Sequence, residues 1–308
     1  MKAQFVEKDD FVIKIFNEKV DIATKIKKID LLRKSQITDR SICVPCFVVY
    51  DGNNSPVGYM MRKVPDAAVR LDKLMCAKHI LKSHFPDWKK RDLVELCIII
   101  LNKINYLHSK NILIGDVNPA NILVESSTSV YFVDTDSYQI DEFPSTVGTK
   151  EFTPPNLFGR KFASVIRSLS DENYSIATLL FYIMVNGMNP YIRTGVVDID
   201  EAIANPEFTY PFGSFKKNPP DQQAMNIWSH LPFDLKACFH NTFDTKGKYY
   251  LDKNNLPSDH TRLTVDEWLG EFEKYLKNLD GGMMGSNDKM SEEIFPSRKK
   301  GSQTGGGK

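Results

Sequence analysis

The chain has 308 residues, enough for one large domain or two lobes around a buried core. Lys plus Arg (40) nearly balance Asp plus Glu (39), so no global basic field points to nucleic acid or an anionic membrane. The first thirty residues are charged and lack an apolar signal core, and the five cysteines form an odd, scattered set, which together indicate a cytoplasmic, reducing setting without secretory export.

In chain order, "DFVIKIF" (10–16) is β-branched and aromatic and predicts a strand. Residues 18–35 place Ile22, Ile26, Ile29 and Leu32 at helical spacing with lysines between them. Residues 43–64 predict a hairpin, two apolar strands around an Asp-Gly-Asn-Asn turn. An amphipathic helix is expected over 92–109, then short apolar runs broken by Asp, Asn and Pro, then a Gly-, Thr- and Pro-rich loop over 145–160. Helical patterns return at 172–187, 198–204, 231–243 and 264–278. The apolar run "YSIATLLFYIMV" is shorter than the about 20 residues of a bilayer span and reads as a buried core helix. From Gly281 onward little is apolar and Gly, Ser and Lys abound, so 281–308 is expected to be a disordered tail.

The chemistry is carried by "IGDVNPANILV" followed by "VYFVDTD". Asp116 and Asn121 lie five apart, Asp134 lies eighteen after Asp116, and each sits where an apolar strand gives way to a loop. Phosphoryl transfer needs one carboxylate to orient the attacking hydroxyl and accept its proton, hard oxygen ligands to hold Mg²⁺, and a cation on the phosphates. Asp116, Asn121 and Asp134 supply that minimum, and Lys14, mid-strand in "FVIKIF", could complete it. On its own, an Asp-x₄-Asn is ordinary turn chemistry and Lys14 a solvated strand lysine; the ordered register of several segments gives the pattern weight. Cys43-Val-Pro-Cys46 opens an apolar strand rather than a helix and has no second close pair, so packed thiols are the better reading than redox or zinc chemistry. His108 reads as a structural hydrogen-bonding residue beneath the loop.

"LHSKNILIGDVNPANILV" resembles the catalytic segment of eukaryotic-like protein kinases, usually LH-x₃-I-x-HRD-x₄-N, with Leu107, His108, Ile112, Asp116, Pro119 and Asn121 in register. "VYFVDTD" resembles the strand and Asp-Phe-Gly that follow, "FVIKIF" the strand of the ATP lysine, "VGTKEFTPPN" the end of the activation segment, and "RLTVDEW" the late arginine motif. The closest pattern is that of divergent bacterial Ser/Thr-kinase-like proteins with an (I/V)GD-x-N-x-x-N loop and D-T-D in place of D-F-G. The resemblance implies a bilobal α+β kinase-like fold, with a small β-rich lobe over 1–65, truncated before the Lys strand and lacking the Gly-rich loop, and a helical lobe over 66–280. It implies ATP and Mg²⁺ as cofactors, with Asp116 as catalytic base, Asn118 as a neutral phosphate donor, Asn121 and Asp134 as metal ligands, and Lys14 on the α/β-phosphates. Met61 would border the adenine and Arg62, Lys63 and Val64 would form the hinge. Asp30 is the candidate for the helix carboxylate that pairs with Lys14. A protein substrate or partner is expected, and family association adds a PP2C-type phosphatase and a von Willebrand A-type protein.

Where most kinases have His and Arg before the base, this chain has Ile114 and Gly115, so activity is expected not to depend on activation-loop phosphorylation, and Thr149→Ala is expected to leave turnover unchanged. Asn156 replaces the Glu that would pair with Arg262. Three readings stay open: a Ser/Thr protein kinase, a pseudokinase acting as a nucleotide-binding or scaffolding module, and a small-molecule phosphotransferase on the same fold.

Overall fold

The computed structural model describes residues 4–8, 10–17, 21–213, 216–254 and 261–301. The chain opens with β1 (Gln4–Lys8) and β2 (Phe11–Ile15), then α1 (Ile22–Lys34), β3 (Phe47–Tyr50) and β4 (Pro56–Arg62). These strands form one antiparallel sheet in the order β1-β2-β4-β3. Asp21 starts α1 by accepting a hydrogen bond from the Thr24 N–H; the expected helix start at 18–20 lies outside the described residues. The expected hairpin is present, but its first strand begins at Phe47. Cys43 instead donates its N–H to the Phe132 carbonyl (2.8 Å), and burial pushes its thiol up to about 11, which disfavours the reactive thiolate.

The helical body follows: β5 (Val69–Arg70), α2 (Leu71–Met75), α3 (Lys78–His84), α4 (Lys90–His108), β6 (Ile112–Leu113), β7 (Ile122–Val124), β8 (Val130–Phe132), β9 (Gln139–Ile140), α5 (Leu169–Met184), α6 (Ile199–Ala204), α7 (Gln222–His230), α8 (Phe233–Phe243), α9 (Val265–Asp280) and α10 (Met283–Asn287). β5, β7 and β8 form a small sheet, and β6 pairs with β9. The run expected as a core helix is α5, buried almost all round, and it begins at Leu169 because Ser168 and Asp171 form a capping box ahead of it. Phe181 of α5 sits edge-on to Tyr210, Phe239 and Phe243, an aromatic centre for the body. Among the described residues no helix is long and apolar enough to cross a membrane.

The expected disordered tail is overturned over 281–301. α10 and a 3-10 turn at Lys289–Glu292 lead to Ile294 and Phe295, both buried in the core. His230 holds this segment through Ser291 Oγ (2.9 Å) and the Arg298 carbonyl (3.0 Å). The composition is polar because Met284, Ile294 and Phe295 are the hydrophobic residues of 281–301 that enter the core; Ser291 is buried too, with its hydroxyl on His230. Residues 302–308 lie outside the described residues. α2, α3 and α7 have no counterpart among the expected helices.

Candidate functional site

Two loops meet at the edge of the small sheet. The first is the turn after β6. Asn118 caps the 3-10 turn Pro119–Asn121 by accepting the Ala120 N–H (2.9 Å), with Pro119 pre-set for the turn. Ahead of it, the buried Glu172 of α5 accepts the N–H groups of Ile114 (3.0 Å) and Gly115 (2.7 Å) and contacts His108 Nε2 (2.9 Å). A helix carboxylate thereby fixes the backbone on which Asp116 rides, and His108 has the structural role its sequence position suggested. Asp116 Oδ1 accepts both the N–H (2.7 Å) and the hydroxyl (2.9 Å) of Thr149, and Asn118 Nδ2 donates to that same hydroxyl (2.7 Å). Asp116, Asn118 and Thr149 are one hydrogen-bonded unit.

The second loop follows β8. Pairing of Ile122 with Phe132, together with the bond from Val133 N–H to the Asn121 carbonyl (3.0 Å), brings Asn121 to the same hairpin end as Asp134. Asp134 has φ 58 and ψ 31, a left-handed conformation that aspartate tolerates and that clusters at functional sites. Lys14, facing Tyr59 in the register of β2 with β4, reaches across to Asp134 and to Asp136 Oδ1 (2.7 Å). Burial pushes the Asp136 carboxyl up, but Lys14 and Lys25 outweigh it and hold it well below the usual carboxylate range. Burial opposes the charge on Lys14 too, and Asp136 and Asp134 overcome it, raising its pKa. On α1, Lys28 donates to the carbonyls of Ser137 and Pro144 (3.1 Å each), and burial with the neighbouring Lys25 lowers it to about 8.

One expectation is corrected here. Asp30 is not the partner of Lys14: it points outward and pairs with Arg33 (3.3 Å), because α1 turns Lys25 and Lys28 toward the loop instead. Of the expected hinge, Lys63 donates its N–H to the Asp10 carbonyl (2.8 Å), so that amide is already engaged. Arg62 ends β4 opposite Phe11, Val64 is half-buried, and Met61 packs with Tyr59, Val12 and Val133 beside the Lys14 face.

Sequence reasoning missed Arg167, Glu172, Asp136, Tyr59 and Lys25. Asp136 had a signal, the second Asp of "DTD". Arg167 had none: it is buried, donates to the carbonyls of Val147 (2.7 Å) and Ser145 (3.4 Å), and lies over the Phe162 ring at 4.6 Å. Gly115 leaves room for it, since a Cβ there would come within 2.6 Å of its guanidinium.

The chain is 27% identical over 206 residues to protein kinase YegI of Escherichia coli O157:H7, a match covering 62% of this chain and 31% of that protein. It is 27% identical over 119 residues to a putative serine/threonine-protein kinase, R436, of Acanthamoeba polyphaga mimivirus, covering 37% of this chain and 42% of that one. Serine/threonine-protein kinase ppk21 of Schizosaccharomyces pombe is 30% identical over 160 residues, 46% of this chain and 27% of that protein. These likenesses agree with the α+β architecture. The chain carries a divergent eukaryotic-like Ser/Thr-kinase-like domain. No protein-family model matches it, and the chain spans about a third of the length of the E. coli relative. Within this kinase-like domain the Arg262 site is rebuilt as well: Asn156 Oδ1 accepts from Arg262 (2.9 Å) while its Nδ2 donates to Asp171 (2.7 Å), so the amide bridges the arginine to a carboxylate on α5.

Proposed function

We propose that this kinase-like domain transfers the γ-phosphate of ATP, with Mg²⁺, to a serine or threonine hydroxyl of a protein. The observation that carries the reading is the meeting of Lys14 with Asp134, 120 residues apart, beside an Asp116 held by Thr149. Asp116 accepts the proton of the attacking hydroxyl; its second oxygen remains for that work while Oδ1 is held in place. Asn121 and Asp134 offer a carbonyl and a carboxylate oxygen, a hard-donor pair that would hold Mg²⁺. Held there, the ion would supply charge neutralisation at the transferred group. Lys14 turns from Asp134 to the α/β-phosphates, and Asn118 contributes a neutral donor. Met61 walls the adenine.

The test is transfer of labelled γ-phosphate to the protein itself or to a generic protein acceptor, beside Asp116→Ala. Transfer that the substitution abolishes supports the reading; wild-type transfer in Asp116→Ala, or none from either protein, refutes it. Asn118, uncharged where most kinases have lysine, favours one second reading, a nucleotide-binding module without transfer. It requires stabilisation by ATP with Mg²⁺ in the absence of turnover.

A further inference from the structure

The carboxylate that holds Lys14 is in an unexpected place. Among the described residues α1 contains a single acid, Asp30, and that side chain is turned to Arg33. What α1 sends toward the loop is positive: Lys25 donates to Asp136 Oδ2 (2.7 Å) and to the Asp136 carbonyl (3.3 Å), and Lys28 follows one turn on. Asp136 Oδ1 takes Lys14 (2.7 Å) and the Tyr59 hydroxyl (2.5 Å). One buried carboxylate therefore joins β2, β4 and α1, with each oxygen assigned. A buried charge of this kind is stable only while its partners are in place.

The two acids on this loop are not equivalent. Asp134 has a side chain 39% exposed and shares Lys14 with its neighbour; Asp136 is buried and held by three side chains. A carboxylate that must release Lys14 and turn to a cation has to face the cleft. One that must keep Lys14 aimed has to be fixed.

We propose that Asp136 is the lasting partner of Lys14, supplied by the loop rather than by α1, and that Lys25 clamps α1 to the same carboxylate, so that seating α1 and aiming Lys14 are one event. Asp136 and Lys25 are then positioning residues; neither meets the substrate. This rests on the phosphoryl-transfer reading above.

The experiment uses the full chain and three variants: Lys25→Met, Asp136→Asn, and Lys25→Glu combined with Asp136→Asn. Steady-state transfer, the thermal shift induced by ATP with Mg²⁺, and amide exchange across residues 22–34 are measured for each. Lys25→Met is expected to raise the KM for ATP at least fivefold, shrink the thermal shift, and speed exchange in 22–34 while α4 and α5 stay protected. Asp136→Asn is expected to lower kcat/KM at least 100-fold. Returning a carboxylate from α1 in the double variant is expected to recover at least tenfold of that loss. Lys25→Met with unaltered KM and unaltered exchange overturns the proposal. So does a fully active Asp136→Asn, or a double variant no better than Asp136→Asn alone. If Asp136→Asn does not fold, Lys25→Met decides. If the wild type transfers nothing, the transfer reading has failed by itself, and exchange in 22–34 together with the thermal shift still decides whether Lys25 clamps α1.

Discussion

Replacing Gly115 with Ala tests how the loop under Asp116 is built. Gly115 has φ +72, a left-handed conformation that costs an L-residue about 1–2 kcal/mol. An added Cβ would lie 2.3 Å from Ser145 Cβ and 2.6 Å from the Arg167 guanidinium, both parts of a packed layer. Overpacking of this kind costs about 1–3 kcal/mol. The expected loss for Gly115→Ala is therefore about 2–5 kcal/mol. Gly159 is the internal control, because its φ is +79 and a Cβ there meets nothing within 4 Å. Gly159→Ala should carry the backbone cost alone, about 1–2 kcal/mol. Urea denaturation of both variants, with equal m-values, isolates the packing term as their difference. Activity should follow: the Ile114 and Gly115 N–H groups are fixed on Glu172, so the loop cannot yield without moving Asp116, and kcat should fall in Gly115→Ala while Gly159→Ala keeps it. Adding Arg167→Ala should relieve part of the loss, with a coupling of about 0.5–3 kcal/mol, and leave the Ser145 contact. Equal stability losses at Gly115 and Gly159 would refute the claim that Arg167 and Ser145 fill the space beside this glycine.

Lys90 is fully buried, its ammonium 3.5 Å from the Ile294 carbonyl, and burial lowers it to about 7 from 10.5. A lysine lowered by folding destabilises the fold most below the folded value, and the penalty fades as pH rises from about 7 to 10.5. Lys90→Met should thus be more stable than wild type by about 2–5 kcal/mol at pH 6–7, with the advantage shrinking by pH 9; urea titrations at the three pH values check it, and a pH-independent difference refutes it. The structure also revises the expectation for Thr149. Its hydroxyl bonds Asp116, so Thr149→Val should lower kcat about 10–100-fold, the worth of a hydrogen bond to a charged group. Independence from phosphorylation is better tested at the exposed Thr146, where Thr146→Ala should leave kcat within twofold; a switch-like loss there would contradict it.

The trio Asp116, Asn121 and Asp134 was legible because hard-oxygen chemistry restricts the residue types and several segments fall in one ordered register; the β7–β8 hairpin brings Asn121 and Asp134 together. Lys14 was legible only through the register of its strand with the segments that follow. What escaped were contacts made far along the chain: Glu172 to Gly115 spans 57 residues, Arg167 to Ser145 spans 22, and Lys25 to Asp136 spans 111. No periodicity encodes such separations. Asp30 failed for the complementary reason: a carboxylate at the right distance along the helix was on the wrong face, and helical spacing does not say which face meets a loop that has yet to be placed.

Three departures from the kinase pattern share one form. The arginine expected beside the base is glycine, and Arg167 enters the space beside it from the other side of the activation segment. The acid expected on α1, Asp30, is turned to Arg33, and Asp136 holds Lys14 from the loop. The glutamate expected to meet Arg262 is Asn156, and Asp171 supplies the charge through the amide. A motif records which residue stands at a position in the chain, whereas a buried lysine or arginine requires only that an opposite charge or a set of carbonyls be close in space. Here each is answered: burial lowers the pKa of Arg167, and the neighbouring Glu172 and Asp116 carboxylates partly offset it. Asn118 likewise brings no charge of its own, so a loss of rate relative to a lysine at that position should be recovered by Asn118→Lys if Thr149 can still accept from it. Faster transfer in that variant, with the KM for ATP unchanged, would locate the deficit in stabilising the transferred phosphate rather than in binding.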